Sequence, residues 1–153
     1  MKVLDATSLI AFLVDMKFPE GLVLLSKHYE IIVPEGVDKE IKKPATRSAF
    51  EILIKNKVIS VVKVNQEKAL EIQRENPQLH PGECEVIAFA IEHEGKKMNL
   101  LSDDSKARSL FKDLNFRWTQ EVLSFMKDRD IISIDTYNEK LEELKNSSFY
   151  FKS

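Results

Sequence analysis

Six acidic residues stand where an α/β chain would place its chemistry. Asp5 closes the short apolar run Lys2 to Leu4, and Asp103 and Asp104 follow the run Met98 to Leu101. Glu40 sits one to two turns into the helix expected after Ile31-Ile32-Val33. Glu83 opens a helix after His80-Pro81-Gly82, and Glu85 follows closely. In an open parallel sheet, function collects outside the carboxyl ends of the strands, so each of these acids could lie over one sheet edge. Carboxylates gathered there repel by roughly 4 kcal/mol per pair at about 4 Å and an effective dielectric near 20. Several such pairs would consume the whole stability margin of a domain. Either some are held protonated or a divalent cation neutralises them. Oxygen-only ligands suit Mg²⁺ or Mn²⁺. Such ions orient a phosphodiester, stabilise transition-state charge and lower the pKa of an attacking water.

Each acid also has a plain structural reading. Asp5 can cap the helix that follows it, as Asp103 or Asp104 can cap the helix at Ser105. Glu83 and Glu85 can serve a helix dipole in the first turn, and Glu40 can be a solvated residue beside Lys39 and Lys42. Thr7 and Ser8 either cap the first helix, or orient Asp5 and bind phosphate, while Ser102 is the small polar residue before the paired acids. Lys42, Lys43 and Arg47 form one basic cluster, and Lys106 and Arg108 another. Either set can contact phosphates or simply be surface charge. His28, His80 and His93 lack metal-ligand spacing. Cys84, the one cysteine, reads as a small buried residue, and alone it excludes an intrachain disulfide and a thiol-rich zinc site. Without a glycine-rich phosphate loop, ATP use is not expected. Trp118 and the phenylalanines read as core, not as a base-stacking platform.

The elements that must carry these residues alternate between strand and helix. Strands are expected at Lys2 to Leu4, Glu30 to Pro34, Val58 to Val64, Met98 to Leu101 and Phe116 to Trp118. Helices are expected at Leu9 to Leu13, Gly21 to Lys27, Glu35 to Lys42, Ala45 to Lys55, Glu67 to Glu75, Glu83 to Glu94 (stopped by Gly95) and Ser105 to Leu114. Two more follow, one capped by Thr119 and running to Lys127 and one from Thr136 to Asn146, with a final edge strand at Phe149 to Phe151. This alternation predicts an α/β sandwich of three layers, αβα, around a mostly parallel sheet. The length of 153 residues, with no repeat or low-complexity tract, fits a single domain over residues 1–153.

A net charge of −2 excludes a polycation, so any nucleic-acid contact must rest on a local basic patch. The longest apolar run, Leu9 to Val14, is too short to span a bilayer, and Asp5 interrupts what a signal peptide would keep apolar. A cytoplasmic protein is the expectation.

Four segments, in order, resemble the motifs of PIN-domain nucleases. VLDATSLIAFL (residues 3–13) is similar to their opening strand and helix, and VPEGVDKEI (33–41) to their second motif. PGECEVIAFA (81–90) resembles the third, and LLSDDSKAR (100–108) the fourth. The tail from Phe116 resembles a prokaryotic PIN subgroup related to VapC-type toxins. The resemblance implies metal-site acids at Asp5, Glu40, Glu83 and Asp104, with Asp103 and Glu85 as rivals at the fourth and third positions. It further implies Mg²⁺ or Mn²⁺, hydrolysis of single-stranded RNA, a homodimer, and an antitoxin partner if the chain is a toxin. Thr7, Ser8, Ser102, Lys106 and Arg108 are the implied substrate contacts. A non-catalytic PIN-like scaffold in an RNA-processing complex is the alternative. A response-regulator module also gathers acids around Mg²⁺, but it requires an Asp after its third strand, and Val58 to Val64 has none.

Overall fold

The structure is a computed structural model that describes residues 1–94 and 97–147. Strand β1 (Lys2–Leu4) leads into α1 (Ala6–Ile10), which runs on as a π-helical turn over Ala11–Asp15. Then come α2 (Pro19–Ser26), β2 (Ile31–Pro34), α3 (Glu35–Glu40), α4 (Pro44–Lys55), β3 (Ser60–Val62), α5 (Gln66–Glu75) and α6 (Pro81–Glu92). The chain continues through β4 (Asn99–Leu101), α7 (Ser105–Leu110), β5 (Phe116–Arg117), α8 (Thr119–Asp128) and α9 (Ile134–Asn146).

The strands form one sheet in the order β3-β2-β1-β4-β5. Every neighbouring pair is parallel, which gives the expected three-layer α/β architecture. Val3, Leu4, Ile32, Val33, Leu100 and Leu101 are buried, as strands covered on both faces require. Around them pack Phe12, Leu22, Phe50, Ile87 and Leu123, each contributing about 2 kcal/mol by leaving water.

The strand order locates the functional edge. From β1 the chain steps outward through β2 to β3, and from β4 it steps the other way to β5. Right-handed crossovers place the helices of these two halves on opposite faces of the sheet. The direction reverses between β1 and β4, which pair Val3 with Leu100 and Leu4 with Leu101. A crevice therefore opens beyond the carboxyl ends of these two strands, where Asp5 and Ser102-Asp103-Asp104 emerge.

The opposite end of β1 carries a different charge. Lys2 is buried, its Nζ donating to Asn99 Oδ1 and lying 4.3 Å above the Tyr29 ring. Burial lowers its pKa, and repulsion from Arg117 and Arg129 adds to the effect.

Several boundaries differ from expectation for identifiable reasons. Only Ser60–Val62 of the third strand pairs, opposite Ile32 to Pro34, and Pro34 has no N–H to extend the ladder. Helix α3 stops at Glu40, and Pro44 stands at the start of α4, where its missing N–H costs nothing. Helix α7 ends at Leu110, because Phe111 turns to φ −122°, ψ 64° and packs against the core. Asp5, not Thr7 or Ser8, caps α1. Trp118 takes the cap position of α8 expected for Thr119, and Glu121 accepts its N–H at 3.0 Å. Gly95 and the strand expected at Phe149 to Phe151 lie outside the described residues. Among the described residues, no helix is long and apolar enough to cross a membrane.

Candidate metal centre

Asp5 leaves β1 with extended backbone, φ −90° and ψ 179°, and turns its side chain back over the first turn of α1. Oδ1 accepts the Ser8 N–H at 3.1 Å and the Thr7 hydroxyl at 2.6 Å. Oδ2 accepts the Ser102 hydroxyl from the end of β4. The residue is 2% exposed. Burial pushes its pKa up to about 6, against the three hydrogen bonds that favour the charged form, and the nearby Asp103 charge adds to the rise. Ser102 Oγ also accepts the Asp104 N–H at 3.1 Å, so one hydroxyl fixes Asp5 relative to Asp104.

Asp104 caps α7, accepting the Lys106 N–H at 2.8 Å. Its carboxylate is close enough for its charge to act on Glu83. Glu83 stands in the first turn of α6, 7% exposed, and its Oε1 accepts the His80 N–H at 3.0 Å. Its Oε2 is buried with no hydrogen-bond donor. Burial drives the Glu83 pKa up to about 7, the His80 hydrogen bond opposes this, and the Asp104 and Asp5 carboxylates raise it further. Carboxylates that repel one another at a buried position are relieved by a retained proton or by a cation.

Glu40 joins at the margin. It is the last residue of α3, exposed, and its Oε1 accepts the Gly82 N–H at 3.0 Å, one residue before Glu83. A β-carbon on Gly82 would stand 2.4 Å from that oxygen, so the glycine permits the approach. Glu85 points elsewhere, to the Gly36 N–H at 3.0 Å in the first turn of α3. Asp103 is occupied as well. Its Oδ1 accepts the Thr119 N–H at 2.8 Å, its Oδ2 accepts the Thr119 hydroxyl, and its own N–H donates to Thr7 Oγ1 at 2.9 Å.

The structure thus draws Asp5, Glu83 and Asp104 together and sets Glu40 against the same helix start, while Glu85 and Asp103 each join one element to another. Among the described residues, no group of three or more His, Cys, Asp or Glu side chains is placed to hold a metal ion by itself. The donor set still fits Mg²⁺ or Mn²⁺, which keep several waters and need only one or two direct carboxylates. The donorless Oε2 of Glu83 is the buried atom such an ion would satisfy.

The implied substrate contacts divide in two. Ser102 and Thr7 spend their hydroxyls on Asp5, and Ser8 Oγ meets Thr119 Oγ1 at 2.7 Å in the interior. Arg108 pairs with Glu121 at 2.9 Å, its guanidinium 4.1 Å from the centre of the half-buried Trp118 ring, so Trp118 is not simply core. Lys106 is exposed near the acids. Cys84 is buried, and burial with the Glu83 and Glu85 charges lifts its thiol to about 11, so it supplies no thiolate near neutral pH.

Sequence reasoning missed Thr119, which holds both Asp103 and Ser8. The available signal was its place two residues after the strand beside β4.

No curated protein matches the chain. The family model DUF3368, described as a PIN domain, matches residues 1–153. PIN domains are generally nucleases and typically use divalent metal ions. With acids converging at the switch point of a five-stranded parallel sheet, and with the full length matched, the chain belongs to the PIN-domain family.

Proposed function

We propose that the protein is a ribonuclease that hydrolyses phosphodiester bonds of single-stranded RNA with Mg²⁺ or Mn²⁺. The carrying observation is the buried Glu83 carboxylate, with one donorless oxygen, in the field of the Asp104 and Asp5 charges. Without a positive partner this arrangement opposes folding near neutral pH; a nuclease requires it.

Asp5, Glu83 and Asp104 would hold the cation, with Glu40 bound directly or through water. When bound, the ion supplies Lewis-acid charge at the scissile phosphate and a more acidic water. The protein's own groups do the rest. Ser102 ties the Asp5 carboxylate to the Asp104 backbone, which limits reorganisation on substrate binding. In the metal-free protein burial pushes the Glu83 pKa up to about 7, and a cation at Oε2 would take the place of that proton. Exposed Lys106, two residues after Asp104, would meet a flanking phosphate.

The test is incubation of labelled single-stranded RNA with the protein in Mn²⁺, in Mg²⁺ and in chelator, beside an Asp104→Asn variant. Cleavage is expected only with metal, and the variant should lose about 100-fold or more. A well-folded protein that cuts no RNA with either ion would be a non-catalytic PIN-like scaffold.

A further inference from the structure

Beside Glu40 a groove of about 300 Å³ runs between the π-turn after α1 and the loop joining α3 to α4. Its lining includes Ile10, Val14, Glu40, Lys42, Lys43 and Thr46. Ile10 and Val14 are 38% and 43% exposed, although they belong to the helix whose other face carries the buried Phe12. The π-turn widens the backbone here, with Met16 N–H reaching back five residues to Ala11 C=O at 2.9 Å.

The basic residues beside this groove are not equivalent. Arg47 is fully engaged. It pairs with Asp38 at 2.7 Å and with Glu51 at 2.9 Å, and it donates to the Asp38 carbonyl at 2.8 Å and the Ile41 carbonyl at 3.4 Å. Arg47 thereby braces the loop that presents Lys42 and Lys43. Both lysines are exposed, and among the described residues neither enters an ion pair. The groove therefore has an apolar wall, a cationic rim and an acidic end at Glu40, which is turned toward Gly82 and the metal centre.

We propose that this groove binds the RNA strand beside the scissile phosphate, with a nucleobase against Ile10 and Val14 and backbone phosphates held by Lys42 and Lys43. A single strand presents an apolar base face and an anionic backbone side by side, and the groove is complementary to both. Its volume is at the small end for a ligand pocket, suited to one nucleotide. The assignment rests on the ribonuclease reading and names the residues through which that site holds its substrate.

The test measures binding apart from cleavage. Fluorescence anisotropy of a short labelled single-stranded RNA is followed against salt in an Asp104→Asn background, which prevents turnover. Lys42→Ala with Lys43→Ala should weaken binding about tenfold at low salt and reduce the slope of log Kd against log salt by about 1.4, near 0.7 per lost phosphate contact. Ile10→Ser with Val14→Ser should weaken binding at every salt concentration and leave the slope unchanged. All four positions are exposed, so the variants should fold. If both pairs bind within about twofold of the parent, the groove assignment is overturned. Should the same substitutions in the otherwise native protein also leave cleavage unchanged, the ribonuclease reading survives that loss. If the groove substitutions weaken RNA binding but the native protein cuts nothing with either ion, the ribonuclease reading falls and RNA binding by the groove stands. Absence of RNA binding altogether overturns the assignment.

Discussion

The Glu85 carboxylate accepts the Gly36 N–H at 3.0 Å, and a β-carbon on Gly36 would lie 2.0 Å from Glu85 Oε2. The contact has a reciprocal. Glu85 of α6 reaches the first turn of α3, while Glu40 at the end of α3 reaches Gly82 in the first turn of α6. Each carboxylate meets the positive end of the other's helix. The two glycines, however, are not equally tolerant. Glu85 is 7% exposed and has nowhere to swing, whereas Glu40 is exposed and can move away. Gly36→Ala should therefore lower stability by about 2 kcal/mol through overpacking. Gly82→Ala should change stability by less than about 1 kcal/mol, yet reduce cleavage by displacing Glu40. Urea unfolding with parallel RNA assays checks both, and equal stability losses at the two glycines would refute the asymmetry.

Metal-free stability should fall as pH rises. Asp5 moves from an ordinary 3.8 to about 6, and Glu83 from 4.5 to about 7. The folded state therefore binds these protons more tightly than the unfolded chain does. Their contribution is full below about pH 4 and is lost as pH climbs through 6 to 7. The Asp5 shift alone corresponds to the order of 2 to 3 kcal/mol. Melting temperatures in chelator should decline from pH 5 to pH 8 by several degrees, roughly 2 to 4 °C per kcal/mol. Asp5→Asn should flatten that decline, and an unchanged slope in the variant would show that Asp5 is not its source.

Millimolar Mg²⁺ or Mn²⁺ should reverse the loss. An ion present at about a hundredfold above its dissociation constant stabilises the native state by about 2.7 kcal/mol. Differential scanning fluorimetry at pH 7.5 should show a rise of roughly 5 to 10 °C. The rise should disappear in Glu83→Gln, because that change removes the anionic oxygen lacking a donor. A rise of the same size in Glu83→Gln would place the ion elsewhere.

The adjacent acids Asp103 and Asp104 should behave differently. Asp103→Ala would lose both hydrogen bonds to Thr119 and lower stability by about 2 kcal/mol. Cleavage per folded molecule should stay within about tenfold, while Asp104→Asn loses about 100-fold with little change in stability. Reversed effects would exchange the two roles.

The sequence exposes the main design because burial leaves a clear pattern. Runs such as Ile31-Ile32-Val33 and Leu100-Leu101 are apolar throughout since they lie between two helical layers, and an acid directly after such a run marks a sheet edge. The pairing of Asp5 with Ser102 follows from the register of β1 on β4, which no local pattern encodes. For the same reason the sequence leaves Asp103 against Asp104 open. Which neighbour meets Thr119 depends on where α8 starts after β5. Likewise Glu83 and Glu85 lie close together on one helix, and only the position of α3 sends one to Gly36 and the other to Asp104. The basic cluster divides similarly, because Arg47 is neutralised by Asp38 and Glu51, an arrangement only tertiary packing reveals for Asp38.

Strand β1 is three residues long, yet it is bolted to β4 at both ends: Lys2 to Asn99 at one, Asp5 to Ser102 at the other. A slide of a single residue would break both bolts and turn Val3 and Leu4 to the wrong faces. Few hydrogen bonds hold so brief a strand in place, and these polar ends act as its alignment pins. Asp5, the proposed anchor of the chemistry, is therefore also the residue that tells the central strand where to stop.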